Sequence, residues 1–209
     1  MSLRVRLRFS KSLLRRSEFL CFAFGVASLG CCATIAAHVW LFQAYENWAF
    51  EQQLASEPIS VKEFLVHAAS FTEPATPAER AVVGQIEIPR IGLKAVVLEG
   101  ASKRTLAAAV GHIPGTARLG GNGNAGLAGH RDTFFRGLKD IRPGDTILVT
   151  TLEGSFEYRV RDCQVVGPRD TRVLADTPEP ALTLVTCFPF QYVGPAPERF
   201  IVRATRTRI

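Results

Sequence analysis

The sequence predicts a mostly β-stranded domain, closed into a barrel, that follows one N-terminal transmembrane helix. Near the N-terminus, the run Phe19 to Phe42 contains no charged side chain. From about Ala81 onward, short apolar stretches alternate with Gly, Pro, Asn and Asp, a pattern typical of strands and turns. The chain has 209 residues, of which 47% are hydrophobic, so it is long enough for one folded domain with appendages.

The apolar run Phe19 to Phe42 has the length and the flanks of a retained membrane anchor. A helix of its 24 residues spans about 36 Å, and the hydrocarbon core of a bilayer is roughly 30 Å thick. A cleaved signal peptide and a buried core helix are the alternatives, but the apolar part of a signal peptide has only about 7–15 residues. The run also ends in Trp40, Leu41 and Phe42, and aromatic side chains are enriched at membrane–water interfaces.

The charges on either side of this run predict its orientation. Residues 1–18 carry six basic side chains and one acidic one, whereas residues 43–80 carry two basic and six acidic ones. Basic flanks stay on the cytoplasmic side, so the N-terminus is expected in the cytoplasm and the rest of the chain outside. Much of the net charge of +6 lies in this N-terminal cluster, which argues against nucleic-acid binding.

The segment between the anchor and the folded domain is predicted to be a helix followed by a stalk. It contains Pro58, Pro74 and Pro77 and few residues that would fill a core. A short helix is expected within it, over Ile59 to Ala69. The chain is therefore divided into a cytoplasmic basic tail (1–18), a transmembrane anchor (19–42), a juxtamembrane helix and stalk (43–80) and a catalytic domain (81–209).

The folded domain is predicted to contain seven or eight short strands and few helices. Strands are predicted over Val82 to Ile88, Leu93 to Leu98, Ala125 to Gly129, Thr146 to Thr151, Ser155 to Val166, Ala181 to Thr186 and Arg199 to Thr205. Short helical elements are predicted over Ser102 to Ala108, Phe134 to Ile141 and Asp170 to Leu174, and a loop over Gly111 to Asn124. Many short strands favour a closed barrel, because closure removes the exposed edges of an open sheet.

Cys187 is the first candidate for chemistry. It ends the apolar stretch Ala181 to Thr186 and opens a loop that contains proline, and reactive side chains are commonly placed where a strand of a rigid scaffold ends. Three further cysteines lie within the apolar run, so only Cys163 and Cys187 remain outside it. A disulfide between these two is the alternative to two free thiols, although a domain held by disulfides would need more cysteines.

Two histidines are candidates for the proton partner of the thiol. A nucleophilic thiol needs an adjacent base or a lowered pKa. His130 follows the predicted strand Ala125 to Gly129 in the segment AGHRDTFF, and His112 lies in the segment GHIPGT. Composition and spacing do not separate them.

Arg199 lies 12 residues after Cys187, at the start of the last predicted strand. This spacing allows the chain to turn back, so that the guanidinium lies near the thiol. Attack on an amide carbonyl builds an oxyanion, which a fixed donor stabilises by about 3–4 kcal/mol. A surface arginine paired with Glu198 is the alternative.

Taken together, four segments resemble the sortase family, and most closely its class D branch. In chain order these are GHIPGT at 111–116, AGHRDTFF around His130, TLVTCFPF around Cys187 and PERFIV around Arg199. The resemblance covers residues 82–209 and implies an eight-stranded β-barrel. It also implies that Cys187 is the nucleophile, that His130 rather than His112 protonates the leaving amine, and that Arg199 stabilises the oxyanion. The substrate groove is expected to include Thr186, Ala128, Gly129 and Pro189.

The resemblance also implies a reaction and its partners. Sortases cleave a C-terminal sorting signal of the Leu-Pro-x-Thr-Gly kind in secreted proteins through a thioacyl-enzyme. They then transfer the acyl group to an amine, from a cell-wall precursor or from a protein subunit. Neither a cofactor nor a metal site is expected, because the two Cys and three His outside the apolar run lack ligand spacing.

Two other functions are the alternatives to this one. A papain-like protease has its Cys on a helix and before its His, whereas here His130 precedes Cys187 and the Cys follows a strand. An inactive sortase-like scaffold for surface-protein assembly is the alternative from outside the enzymes. The presence of all three expected side chains argues against it.

Overall fold

The computed structural model describes residues 11–55, 80–192 and 194–207. The chain divides into two compact units, Met1–Leu41 and Phe42–Ile209. The short helix predicted over Ile59 to Ala69, most of the predicted stalk and the first ten residues of the predicted basic tail lie outside the described residues.

One long helix, α1 (Lys11–Ala55), carries the apolar run. Within the first unit its large apolar side chains are exposed, and Phe19, Phe22 and Phe24 are each more than 70% exposed. The segment Glu18–Leu54 has a mean hydropathy of 2.1 in its most apolar part and is long enough to cross a membrane.

The described part of the second unit contains a closed barrel of eight strands. The strands are β1 (Val82–Ile88), β2 (Leu93–Glu99), β3 (Val110–His112), β4 (Asn124–Ala128), β5 (Thr146–Thr151), β6 (Gly154–Val166), β7 (Ala181–Phe188) and β8 (Glu198–Arg206). Around the barrel their order is β1-β2-β3-β4-β7-β8-β6-β5. The pairs β2–β3 and β4–β7 are parallel, and the other pairs are antiparallel. The predicted barrel is confirmed.

Short helices connect some of the strands. The helix α2 (Lys103–Ala108) begins after Ser102, whose hydroxyl accepts a hydrogen bond from the backbone N–H of Thr105 at 3.3 Å, as expected of an N-cap. Three 3-10 turns follow other strands, at Pro89–Ile91, Arg136–Asp140 and Thr171–Leu174.

The core fills the inside of the barrel with alternate residues of each strand. The inward-facing residues of the strands next to the site are fully or almost fully buried: Ala125 and Leu127 on β4, Leu182 and Leu184 on β7, and Val202 and Ala204 on β8. Complete burial of a Leu or Val side chain contributes about 1.5–3 kcal/mol. The residues between these on each strand consequently face the outside of the barrel.

The end of α1 that belongs to the second unit packs on the outer face of β2. Phe42 packs against Val96 and Leu98, and the Gln43 amide donates to the carbonyl of Ala108 at 2.7 Å. Phe50 is only 2% exposed. The sequence predicts a helix here but gives no sign of this contact with the barrel.

Candidate active site

Strand register places Cys187 and Arg199 side by side. In the antiparallel β7–β8 ladder they are direct Cα partners. The loop predicted to bring the arginine back to the thiol is therefore the connection between these two strands, residues 189–197.

His130 lies next to the same end of β7, on the side opposite β8. In the parallel β4–β7 pair, Ala128 lies beside Val185, and the N–H of Gly129 donates to the carbonyl of Val185 at 3.2 Å. His130 follows Ala128 by two residues, as Cys187 follows Val185. Since neighbouring strands lie about 4.8 Å apart, His130, Cys187 and Arg199 form a row across three adjacent strands.

Cys187 and Arg199 lie on the outer face of the barrel. Leu184 and Val202 point into the core, and both Cys187 and Arg199 lie an odd number of residues from them, on the opposite face. His130 is exposed, and Cys187 and Arg199 are half-buried. A substrate can thus approach the row from solvent.

A buried hydrogen bond fixes the two strands that carry the thiol and the histidine. The Thr186 hydroxyl, only 2% exposed, donates to the carbonyl of Gly129 at 2.7 Å. A Cβ at Gly129 would lie 2.7 Å from a ring carbon of Phe135, so any larger residue at this position would clash with the Phe135 ring. Thr186 and Gly129 thus face inward. They would support the predicted groove by holding β4 and β7 together rather than by touching a substrate.

The other two expected groove residues lie nearer the surface. Ala128 is half-buried and belongs to the outer face of β4, beside Val185. Pro189 is half-buried at the start of the β7–β8 loop. Both lie close to the row in sequence and register, which is compatible with contact to a bound peptide.

Backbone carbonyls at the end of the β7–β8 loop and at the start of β8 hold the Arg199 guanidinium. Nη1 donates to the carbonyls of Glu198 at 2.8 Å and of Ala196 at 3.2 Å. No carboxylate pairs with Arg199 among the described residues. The guanidinium is thus held by backbone carbonyls and is not neutralised by a carboxylate of the described residues.

The two cysteines of the second unit are both free. Cys163 is half-buried on β6, and burial, together with the charge of Asp162, raises the pKa of its thiol. Since the thiolate is the nucleophile, this environment makes Cys163 a poor one.

His112 lies apart from the row and uses both of its ring nitrogens. It is 6% exposed, its Nε2 bonds to the carbonyl of Ala117 at 2.8 Å, and its Nδ1 bonds to a carboxylate oxygen of Glu99 at 2.9 Å. A carbonyl only accepts, so Nε2 is the protonated nitrogen of that bond. The ring has no nitrogen left with which to serve a thiol.

The structure also contains a buried polar network that the sequence did not predict, toward the N-terminal ends of β4 and β7 and away from the row. Asn124 is 3% exposed, and its amide donates to the carbonyls of Val173 and Ala175, while its oxygen accepts from the hydroxyl of Thr183 at 2.8 Å. This network ties the β6–β7 connection to the outer face of β4 and β7. The one sign of it in the sequence is Asn124, an asparagine at the start of a buried strand. The sequence analysis places this residue at the end of a predicted loop.

The geometry of the row suits acyl transfer. A thiol, an exposed imidazole and a fixed guanidinium meet the needs for a nucleophile, a proton carrier and an oxyanion partner. Among the described residues, no group of three or more His, Cys, Asp or Glu side chains is arranged to hold a metal ion.

A comparison of the sequence with models of protein families finds a Sortase domain at residues 86–207. The chain belongs to the sortase family. Members of this family are cysteine transpeptidases. The resemblance seen in the four sequence segments is thereby confirmed.

Individual relatives agree with this assignment. The chain is 36% identical over 124 residues to Sortase D of Bacillus subtilis, a match that covers 59% of this chain and 63% of that protein. It is 32% identical over 111 residues to Sortase A of Listeria monocytogenes, covering 51% of this chain and 50% of that protein. These matches span less than two thirds of either relative.

A solved structure extends the similarity to most of the chain. A Sortase D5 transpeptidase from Clostridium perfringens superposes with a TM-score of 0.63 at 29% identity. The superposition covers 77% of this chain and 94% of that one. Sortases of class D are thus found among both the sequence relatives and the structural neighbours.

Proposed function

We propose that this sortase is a membrane-anchored transpeptidase that uses Cys187 as its nucleophile. The observation that carries the proposal is the row formed by His130, two residues past the end of β4, Cys187 on β7 and Arg199 on β8. Strand register supports the proposal, because it brings positions far apart in the sequence to the same ends of neighbouring strands.

In the first half-reaction, the Cys187 thiolate attacks the carbonyl carbon of the threonine in a sorting signal of the Leu-Pro-x-Thr-Gly kind. The Sγ–C bond forms, and the carbonyl electron pair moves onto the oxygen, which Arg199 stabilises. When this intermediate collapses, the C–N bond to the following residue breaks. The leaving amine takes a proton from His130, and a thioester remains on Cys187.

In the second half-reaction, an amine attacks the thioester carbonyl. Its proton passes to His130, the new amide bond forms, and the Cys187 thiolate is released. The amine belongs to a cell-wall precursor or to a protein subunit. The acyl donor is a secreted protein that carries the sorting signal near its C-terminus.

The membrane anchor supports this pairing of substrates. We assign residues 1–18 to the cytoplasm, 19–42 to the membrane and the folded domain to the outside of the cell. The folded domain comprises residues 81–209, after a juxtamembrane segment at 43–80. An anchored enzyme meets substrates held at the same membrane at a raised effective concentration, so that modest affinity suffices. Protease added to intact spheroplasts is expected to remove the folded domain, and complete protection of this domain would contradict the orientation.

The function is tested with the full-length chain in detergent micelles, a panel of Leu-Pro-x-Thr-Gly-type peptides and an amine. We expect cleavage after the threonine and a product joined to the amine, both detected by mass spectrometry. Cys187→Ala is expected to abolish both products. His130→Ala is expected to lower kcat/KM by about 10²–10⁴-fold, the usual contribution of a general acid–base group.

Cys163→Ala is the matched control for the thiol, because Cys163 is the other free cysteine of the second unit. It is expected to leave cleavage unchanged. His112→Ala makes a poor control, because it would leave the half-buried Glu99 carboxyl without its partner. Cleavage that survives in Cys187→Ala would overturn the proposal, and a chain that cleaves no peptide of the panel would favour the inactive scaffold.

A further inference from the structure

Arg131, the residue directly after His130, reaches across to the β7–β8 loop. Its Nη2 donates to the carbonyl of Tyr192 at 2.6 Å and to the carbonyl of Gly194 at 3.3 Å. Its guanidinium carbon also lies 5.8 Å from the centre of the Tyr192 ring, within cation–π range. Two carbonyls and one ring of the same loop thus hold one side chain.

This contact is placed where the loop has no other anchor among the described residues. At the start of the loop, Phe190 packs on Phe188 and Phe200, with ring centres 5.9 Å and 5.3 Å away. At its end, the carbonyl of Ala196 accepts from Arg199. Of the residues that the structure describes, only Arg131 donates a hydrogen bond to the middle of the loop.

The position of Arg131 is unfavourable for one of its own nitrogens. Its Nη1 is buried and has no hydrogen-bond partner among the described residues. A buried donor without a partner is destabilising, so an unsatisfied group of this kind calls for an explanation. Support of the loop beside the thiol is such an explanation.

We propose that Arg131 is a positioning residue of the acyl-transfer site, which acts by fixing the β7–β8 loop and, through the loop, the Arg199 guanidinium. The route is short. Arg131 binds the loop at Tyr192 and Gly194, and two residues further on the carbonyl of Ala196 holds Arg199. The inference depends on the proposed function for its effect on the reaction but not for the contact itself.

The first test measures the loop directly. Amide hydrogen exchange of residues 189–197 is compared in the full-length wild type, in Arg131→Ala and in Arg136→Ala. Arg136 is the matched control, because it is exposed, lies five residues further on and makes no side-chain hydrogen bond in the described part of the chain. Arg131→Ala is expected to speed exchange in the loop about tenfold, a change of about 1.4 kcal/mol in its opening. Exchange equal to that of the control would overturn the inference, whatever the enzyme does.

The second test asks whether the effect on the reaction passes through Arg199. Arg131→Ala is expected to lower kcat for peptide cleavage about tenfold, with less than a threefold change in KM. In an Arg199→Lys background, the same substitution is expected to lower kcat by less than about threefold, because residues that act through one another are not additive. Equal losses of kcat in the wild-type and Arg199→Lys backgrounds would show that Arg131 does not act through Arg199, which would overturn this part of the inference. A wild type that cleaves no peptide would contradict the proposed function, and the exchange experiment would still decide whether Arg131 fixes the loop.

Discussion

At the scale of single residues, the environment of each side chain separates the candidates that composition could not. His130 and His112 have similar sequence surroundings, yet one is exposed at a strand end and the other is buried with both nitrogens bonded. Cys187 lies beside a fixed cation, whereas burial raises the pKa of Cys163. The sequence gives the residue types, but it does not show which of them will find hydrogen-bond partners inside the folded protein.

Arg199 is expected to act on the transition state rather than on substrate binding. Arg199→Ala should lower kcat by about 10²–10³-fold, the usual loss when one oxyanion partner is removed, with a smaller effect on KM. Steady-state kinetics on the full-length chain measures the split. Arg203→Ala is the matched control, because Arg203 lies on the same face of β8 and makes only a half-exposed ion pair with Asp162 at 3.4 Å. An equal loss in both variants would show that Arg199 has no special role.

Cys163 is expected to resist alkylation near neutral pH. Burial raises the pKa of its thiol, so its thiolate fraction falls below that of an ordinary cysteine, whose pKa is about 8.5. Iodoacetamide labelling of Cys187→Ala, followed by peptide mapping, measures the rate at Cys163 against that of the same chain unfolded in guanidinium. A folded rate as fast as the unfolded rate would contradict this account.

At the scale of elements, strands in which apolar and polar residues alternate regularly were predictable. Very short strands, and contacts between elements far apart in the sequence, were not. Val82–Ile88 and Thr146–Thr151 were predicted with their observed bounds. The three-residue strand Val110–His112 was partly assigned to a loop, because its stability comes from a parallel partner, β2, rather than from its own residues. The same limit applies to the end of α1, since its helical pattern does not reveal the surface that it packs against.

The hydrogen bond between β4 and β7 is expected to stabilise the site and the barrel together. Thr186→Val keeps the shape of the side chain but leaves the Gly129 carbonyl without its hydroxyl donor, at a cost of about 1–2 kcal/mol. For a domain of this size the melting temperature should fall by about 2–8 °C. Thermal melting followed by circular dichroism measures it. Thr146→Val, on a strand far from the row, is the control, and equal melting temperatures for the two variants would contradict the importance of this bond.

At the scale of the whole molecule, a pair of charges links two parts of the barrel and makes its stability depend on pH. Arg90, in the turn between β1 and β2, pairs with Asp145 at the start of β5, with Nη2 and Oδ2 2.7 Å apart. The hydrogen bonds from Arg90 hold the pKa of Asp145 below its ordinary value, and the N–H of Arg142 contributes in the same direction. Only 8% of the Asp145 side chain is exposed, whereas 40% of the Arg90 side chain is, so solvent screens this pair in part.

The folded barrel should therefore lose stability in acid through Asp145. A carboxyl whose pKa is lowered by folding contributes its full stability above its unfolded pKa of about 3.9 and loses it as pH falls through the folded value. Melting temperatures of the wild type and of Asp145→Asn should differ at pH 7, and the difference should shrink as the pH falls below the unfolded pKa and through the lowered folded pKa. Asp162→Asn, which removes a half-exposed pair, is the control with little difference at either pH. A gap between wild type and Asp145→Asn that persists unchanged in acid would contradict this assignment.

The central claim is that Cys187 carries the acyl group, and trapping that group tests it most directly. The full-length chain is mixed with a Leu-Pro-x-Thr-Gly peptide without an added amine, quenched in acid within seconds, and examined by intact mass and peptide mapping. We expect a mass increase equal to the peptide up to its threonine, located on Cys187, absent in Cys187→Ala and unchanged in Cys163→Ala. An adduct on Cys163, or peptide cleavage without any adduct on Cys187, would contradict the account.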